Sequence, residues 1–206
     1  QVHLGLRRDE TYATLADAVA LMDALGIKKV NFVGLSMGGM IGQGLALKHA
    51  DRVVRLALCD TSAYMPPAAQ PIVQERIDTA RKEGLAALVD GTLARWFTPA
   101  YLKKKGPGVD MIRNIFLTSP LAGYIGCTEA IRQLNYIDEL ARIKIPTLVI
   151  VGADDPGTPV AAAQAIHERI AGSRLLVIPS ASHLSNIEQA EVFNRNLAGF
   201  LAPAGS

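Results

Sequence analysis

Cysteine is scarce in this sequence: its 206 residues include only two, Cys59 and Cys127. Cys59 lies in an apolar, strand-like segment and Cys127 in a predicted helix. Neither has partners at the spacing of a metal site or of a disulfide framework. We therefore expect both thiols to be reduced and to serve in packing, and the cysteine pattern indicates no metal site.

An excess of charge of one sign is also lacking. Lys and Arg number 21 against 19 Asp and Glu, which leaves a formal net charge of +2. Apart from the run at residues 103–105, the basic residues are scattered among acidic ones, whereas nucleic-acid-binding domains concentrate them on one face. Nucleic acid is therefore not an expected partner.

Long apolar runs and a leader are absent as well. No stretch approaches the roughly 18 uninterrupted apolar residues that cross a bilayer, and no charged-then-apolar segment opens the chain. The sequence predicts a soluble, cytoplasmic protein with no membrane partner. The chain starts at Gln1 rather than Met, so the lack of a leader weighs little.

Half of the residues are apolar, enough for one sizeable core. Apolar β-rich runs predict strands at residues 29–35, 52–60, 146–152 and 174–179. Helical periodicity and stop signals predict helices at 14–25, in a segment ending near 49, and at 72–83, 85–96, 109–117, 124–134, 159–171 and 188–201.

The order of these elements predicts the domain organisation. The first strand, helix and strand form a parallel βαβ pattern, and no strand is predicted between residues 61 and 141. We therefore predict an α/β core made of residues 1–61 and 142–206, interrupted by a helical cap at residues 62–141.

The segment Gly34-Leu35-Ser36-Met37-Gly38 carries the first chemical signal. It places a serine on a sharp turn between a strand and a helix, where flanking glycines relieve crowding. We predict that Ser36 is a nucleophile and that the Met37 backbone N–H, at the positive end of the helix, helps to bind an oxyanion. A plain turn serine is the structural alternative.

A serine nucleophile needs a histidine base and an orienting carboxylate. Asp155 follows the strand at 146–152 and His183 follows the strand at 174–179, so both lie at the sheet edge where α/β proteins bind ligands. Asp154 is the rival carboxylate. His3, His49 and His167 have plainer explanations, in the opening segment, at a helix end and in mid-helix.

Three segments, GLSMGGMIGQ at 34–43, VIVGADDPGTP at 149–159 and SASHLSNIEQ at 180–189, closely resemble the α/β-hydrolase superfamily. Within it, the chain resembles bacterial 3-oxoadipate enol-lactonases, since RWFTP at 95–99 and the segment at 122–132 are similar to their cap. The resemblance implies an α/β-hydrolase fold with a helical cap and a catalytic triad of Ser36, Asp155 and His183.

The resemblance also implies the reaction, hydrolysis of a carboxylate-bearing enol-lactone without metal or organic cofactor, in the breakdown of aromatic compounds. Arg132 or Arg95 is the candidate for binding the substrate carboxylate, because a guanidinium is planar and bidentate. Solvated helix-face arginines are the alternative. Trp96 is either a substrate platform or a core residue under the cap.

The sequence departs from this family at its start. Family members begin with about four more strands and with a loop that donates a second oxyanion N–H, and neither is recognisable before Thr14. We expect a missing N-terminal segment, or self-association or a partner segment that pairs with the strand at 29–35. A broad carboxylesterase and a non-catalytic ligand-binding module are the alternative functions.

Overall fold

The computed structural model describes residues 10–202, which form a four-stranded parallel sheet with helices on both faces. The strands are β1 (Val30–Leu35), β2 (Val53–Cys59), β3 (Thr147–Gly152) and β4 (Arg174–Ile178), and they lie side by side in that order. All three strand pairs are parallel. Parallel strands end at one sheet edge, so the loops after β1, β3 and β4 share that edge.

The helices of the described residues are α1 (Glu10–Ala24), α2 (Met37–Lys48), α3 (Gln70–Glu83), α4 (Val89–Trp96), α5 (Pro99–Lys103), α6 (Pro107–Thr118), α7 (Leu121–Arg132), α8 (Val160–Arg169), α9 (Ser185–Glu188) and α10 (Ala190–Leu201). Five of them, α3 to α7, lie between β2 and β3 in the chain. All four predicted strands and all predicted helical segments are present, with boundaries that differ by up to four residues.

Three helical details differ from the sequence prediction. A 3₁₀ turn at Leu85–Ala87 precedes α4 in place of one continuous helix. Helix α5 is additional: Thr98 caps its N-terminus by accepting a hydrogen bond from the Tyr101 N–H, and Pro99 occupies the first turn. The last predicted helix is split at Gln189, whose backbone leaves the helical region.

Alternate residues of the central strands pack on opposite faces of the sheet. On one face Leu56, Leu58, Val149 and Val151 pack with residues of α2 and α8. On the other face a second cluster includes Ala57, Cys59, Leu148 and Ile150 together with Phe193 and Phe200 of α10. Burial on both faces explains why β2 and β3 read as nearly continuous apolar runs.

A third hydrophobic cluster joins the helices of the insertion to the sheet edge. Most of its members come from the insertion, including Leu93, Phe97 and Phe116, but Leu35 and Leu184 also pack in it. Leu35 precedes Ser36, and Leu184 follows His183. Residues between β2 and β3 therefore pack in one cluster with the neighbours of the predicted nucleophile and base.

Strand β1 lies at the edge of the sheet and pairs, within residues 10–202, only with β2. Val33 in this strand is 41% exposed. The unpaired edge expected from the sequence is thus present in this part of the chain, and the source of a further strand stays a prediction.

No helix in the described part of the chain is both long and apolar enough to span a membrane. Cys59 is a free thiol buried at the end of β2, and Cys127 lies in α7.

Candidate active site

Ser36 occupies the turn between β1 and α2 in a backbone conformation that is rare for a residue with a side chain. Its φ is 54° and its ψ is −117°, and such a conformation costs about 1–3 kcal/mol and persists only where its surroundings enforce it. Here the Ser36 N–H donates to the Cys59 carbonyl at 2.8 Å, and the Thr61 hydroxyl donates to the Ser36 carbonyl at 2.7 Å. The end of β2 thus holds the serine in this turn.

The glycines around Ser36 have different roles. A Cβ on Gly34 would lie 2.1 Å from the Gly38 carbonyl oxygen, so only glycine fits this close passage of strand against helix. A Cβ on Gly42 would lie 3.0 Å from the Phe32 ring, so this glycine lets α2 approach the sheet closely. The prediction for Gly38 is wrong, because a Cβ there would meet nothing within 4 Å.

Asp155 is buried just beyond β3, and hydrogen bonds hold both of its carboxylate oxygens. Oδ1 accepts from the Gly157 and Thr158 N–H groups at 2.8 and 3.0 Å, and Oδ2 accepts from the Thr158 hydroxyl at 2.6 Å. Burial pushes the pKa of Asp155 upward, but the hydrogen bonds from His183 and Thr158 and the nearby imidazole outweigh it. The pKa of Asp155 therefore lies below its ordinary value, and the group is a carboxylate at neutral pH.

His183 lies beyond β4 with its ring buried against Asp155. Its Nδ1 is 2.7 Å from Asp155 Oδ2 and 3.3 Å from the Thr158 hydroxyl. Because a carboxylate only accepts hydrogen bonds, Nδ1 carries the proton in the neutral ring and Nε2 has its lone pair free. The ring of Trp96 stacks on the imidazole at a centroid distance of 6.1 Å.

Hydrogen bonds link the segments that carry the three predicted residues. The Ser36 loop is bonded to Cys59 and Thr61, and Asp60 between them bonds to both of the other loops. Its carboxyl oxygens accept from the Gly152 N–H at 2.8 Å and from the Ser185 hydroxyl at 2.5 Å.

The structure thus places Asp155 and His183 in direct contact, and it links the Ser36 loop to both through Asp60. Within the described residues there is no hydrogen bond between the Ser36 hydroxyl and the His183 ring. Such bonds are often long before substrate binds.

The rival residues lie elsewhere. Asp154 is exposed and fixes the loop through its backbone, since its N–H donates to the Ala181 carbonyl at 2.9 Å. His49 terminates α2, and His167 in α8 pairs with the Ser173 hydroxyl at 2.8 Å. His3 lies outside the described residues. Of the two adjacent aspartates, only Asp155 is bonded to a histidine.

Asp60 is a buried carboxyl group that sequence reasoning missed. Burial raises its pKa to about 7, against the lowering effects of Ser185, Gly152 and His183, and Asp155 raises it further. Its position at the end of an apolar strand, at the same edge as Asp155 and His183, is the signal that could have found it.

This burial makes stability depend on pH. Because the pKa of Asp60 rises from 3.8 to about 7 on folding, the native state holds the proton across that window. The contribution of Asp60 to the free energy of unfolding is therefore largest below pH 4 and is lost as the pH rises through 7. Asp60→Asn should remove this dependence, so that between pH 4.5 and 8 wild type loses on the order of 2–4 kcal/mol more unfolding free energy than the variant.

Urea denaturation at a series of pH values measures this difference. Asp154→Asn is the matched control, since Asp154 is exposed, and its stability should run parallel to wild type. Parallel curves for Asp60→Asn and wild type would show that Asp60 does not hold its proton in the folded state.

The predicted substrate contacts fall into two groups. Arg132 is engaged within the insertion: its Nε donates to Gln70 Oε1 at 3.0 Å, and its Nη1 donates to Gln74 and Glu129. Arg95 is half-buried and donates only to the Thr92 hydroxyl, at 3.1 Å, with no carboxylate partner among residues 10–202. Burial and the nearby Arg76 lower the pKa of Arg95.

Trp96 lies next to Arg95 in the insertion, and its ring contacts the imidazole of His183. Its ring meets Phe116 edge-on at 5.9 Å, so it packs in the insertion cluster while facing His183.

The Met37 N–H belongs to the first turn of α2 and so has no helical carbonyl partner. In the described part of the chain, no three His, Cys, Asp or Glu side chains are grouped to hold a metal ion.

Comparison with known proteins agrees with this architecture. A sequence model of the α/β-hydrolase family matches residues 3–196. The chain is 37% identical over 178 residues to a 3-oxoadipate enol-lactonase of Acinetobacter baylyi, in a match that covers 86% of this chain and 66% of that protein. The chain thus spans just under two thirds of the length of this curated relative.

Solved structures with the same fold include a hydrolase from Pseudomonas aeruginosa, with a TM-score of 0.89 and 38% identity, covering 94% of this chain and 72% of that one. The enol-lactonase from Burkholderia xenovorans superposes with a TM-score of 0.88 at 40% identity, covering 93% and 72%. With the parallel sheet, the strained serine turn and the family match over most of its length, this chain belongs to the α/β-hydrolase family.

Proposed function

We propose that this protein is a serine hydrolase that cleaves a carboxylic ester or lactone through an acyl-enzyme on Ser36. The observation that carries the proposal is the buried Asp155 carboxylate bonded to His183 Nδ1 at 2.7 Å, which leaves Nε2 free to accept a proton. The turn that holds Ser36 at the same sheet edge supplies the alcohol. An alcohol, an imidazole and a carboxylate in this order are the parts of acyl transfer.

The proposed reaction has two halves. Ser36 Oγ attacks the carbonyl carbon while His183 Nε2 takes its proton, and the resulting oxyanion accepts a hydrogen bond from the Met37 N–H. The bond to the leaving oxygen then breaks, and His183 returns the proton to that oxygen. Water, losing a proton to His183, next attacks the carbonyl carbon of the Ser36 ester. The bond from this carbon to Ser36 Oγ then breaks, His183 returns the proton to Oγ, and the carboxylic acid is released.

For the substrate we propose an enol-lactone that carries a carboxylate, with 3-oxoadipate enol-lactone as the leading candidate. The similarity to enol-lactonases supports this choice. When such a lactone opens, the leaving oxygen stays in the same molecule, so the whole product remains attached to Ser36 until water releases it. We further propose that residues 62–141 form the cap that covers this substrate.

Arg95 is the better candidate for the substrate carboxylate. It lies next to Trp96, which contacts His183, and it has no acidic partner in the described part of the chain. A half-buried guanidinium without a carboxylate gains most from an anionic ligand, because its desolvation is otherwise uncompensated. Arg132 already has three acceptors on Gln70, Gln74 and Glu129.

Substrate charge tests this assignment. Arg95→Gln should lower kcat/KM for a carboxylate-bearing enol-lactone by about 10- to 100-fold, the value of one charge-assisted hydrogen bond, and leave a neutral ester of matched size within about twofold. Arg132→Gln, the control, should change both substrates by the same factor. Steady-state hydrolysis rates on the two substrates measure these effects.

Three results would count against the proposal in different ways. Equal losses on the two substrates in Arg95→Gln would remove the carboxylate role. Faster turnover of neutral esters than of the lactone by wild type would indicate a broad carboxylesterase. If the protein hydrolyses neither substrate, the proposed function is wrong.

A further inference from the structure

The loop of His183 is fastened to the insertion by one carboxylate, that of Glu188. Its Oε1 accepts from the Ser182 N–H at 2.7 Å, and both of its oxygens lie within 3.2 Å of the Thr98 N–H. Oε2 also accepts from the Thr98 hydroxyl at 2.6 Å. Ser182 precedes the proposed base, and Thr98 begins α5 of the insertion, 90 residues away from Glu188 in the chain.

Further contacts join the same two segments. The Ser182 hydroxyl donates to the Arg95 carbonyl at 2.8 Å, and the Leu184 N–H donates to the Trp96 carbonyl at 3.0 Å. Between these two bonds the rings of His183 and Trp96 stack, with planes 28° apart. Residues 95–98 and 182–184 therefore lie against each other over their whole length.

Glu188 differs from the other contacts in its chemistry. Its carboxylate is half-buried and accepts from two backbone N–H groups and one hydroxyl, and hydrogen bonds to an ionised acceptor are roughly twice as strong as neutral ones. Thr98 lies between α4 and α5, where its N–H has no helical carbonyl partner. Loss of the carboxylate would leave both N–H groups without this acceptor.

We propose that Glu188 is a positioning residue for the hydrolysis proposed above: it holds Trp96 against the His183 ring, so that the insertion and the base move as one unit. The inference rests on the proposed function for its catalytic consequence. A substrate that contacts the insertion near Arg95 and Trp96 then also fixes the imidazole. Weakening this attachment should lower kcat more than it raises KM, because the base loses its orientation while the residues that contact the substrate remain.

The kinetic test compares substitutions at two glutamates. Glu188→Ala should lower kcat by about 10- to 100-fold, with a KM change below about threefold, since misplacing a catalytic group by about 1 Å has effects of this size. Glu188→Gln keeps one acceptor oxygen and should lose less. Glu191→Gln is the matched control and should equal wild type. The Glu191 side chain is 90% exposed and, among residues 10–202, pairs only with Arg195 at 3.5 Å.

A second measurement reports the contact itself and does not require turnover. Trp96 is the single tryptophan of the sequence, so the emission of the protein reports the surroundings of this one ring. Because the His183 ring stacks on the indole, loss of the contact should expose the indole to a dissolved quencher. His183→Ala should therefore raise the acrylamide quenching constant of Trp96, and Glu188→Ala should raise it in the same direction by at least about twofold.

These readouts separate the inference from the proposed function. If Glu188→Ala and Glu188→Gln keep both the kcat and the quenching constant of Glu191→Gln, the positioning role is refuted, even if Ser36 is essential. If Ser36 proves dispensable, the proposed function fails, while the quenching of Trp96 still decides whether Glu188 holds the ring contact. Should Glu188→Ala not fold, Thr98→Val removes the hydroxyl that donates to Glu188 and caps α5, and it should raise the quenching constant in the same direction.

Discussion

Substitution of Ser36 by alanine is expected to lower kcat for the enol-lactone by on the order of 10⁴- to 10⁶-fold, the range found when a nucleophilic serine is removed. The reason is chemical, since the variant lacks the hydroxyl that would attack the carbonyl carbon and form the acyl-enzyme. The fold should persist, because the Ser36 N–H and carbonyl make the bonds to Cys59 and Thr61. Hydrolysis rates and thermal unfolding measure the two effects separately.

Ser180→Ala is the control for backbone strain. Ser180 also has a positive φ, 55°, but lies exposed in the turn after β4. Replacing it removes a hydroxyl from a similarly strained position, and activity should stay within about twofold of wild type.

A fluorophosphonate probe gives a further readout of Ser36. The adduct should map to Ser36 by mass spectrometry and be missing from Ser36→Ala. An adduct that persists in this variant, or a residual rate within about tenfold of wild type, would remove Ser36 from the mechanism.

The sheet and the three candidate residues follow from local sequence signals. Apolar runs such as those of β2 and β3 need burial on both faces, so they predicted strands in the correct places. The carboxyl ends of parallel strands lie at one edge, so Ser36, Asp155 and His183 were expected to converge without knowledge of any contact. The bond of His183 to Asp155 rather than Asp154 required coordinates, because adjacent residues in a loop point in different directions.

Other features could not be read from the sequence because distant contacts create them. Asp60 and Glu188 bond to residues 92 and 90 positions away, and no periodicity encodes such pairs. The short helix α5 depends on the cap by Thr98, a local signal that lies in a segment with weak periodicity. The mistaken role for Gly38 arose because the crowded atoms are those facing Gly34, and only the packing of helix on strand decides which glycine is needed.

Replacement of Asp155 by asparagine is expected to lower kcat by on the order of 10³- to 10⁴-fold, through the tautomer of His183. The Gly157 and Thr158 N–H groups lie 2.8 and 3.0 Å from Oδ1, so they fix the amide oxygen of asparagine at that position. The amide NH₂ then replaces Oδ2, 2.7 Å from His183 Nδ1, and donates to it. Nδ1 must accept, the proton moves to Nε2, and the nitrogen facing the substrate can no longer take the serine proton.

The matched substitution is Asp154→Asn, one position earlier in the same loop. The Asp154 side chain is exposed, and its backbone N–H keeps the bond to the Ala181 carbonyl, so kcat should remain within about twofold of wild type. Steady-state rates at neutral pH and the rate of fluorophosphonate labelling should fall together in Asp155→Asn, since both depend on the same proton transfer from Ser36. A reversed pattern, with Asp154→Asn slow and Asp155→Asn near wild type, would move the orienting carboxylate to Asp154 and contradict the contact on which the mechanism rests.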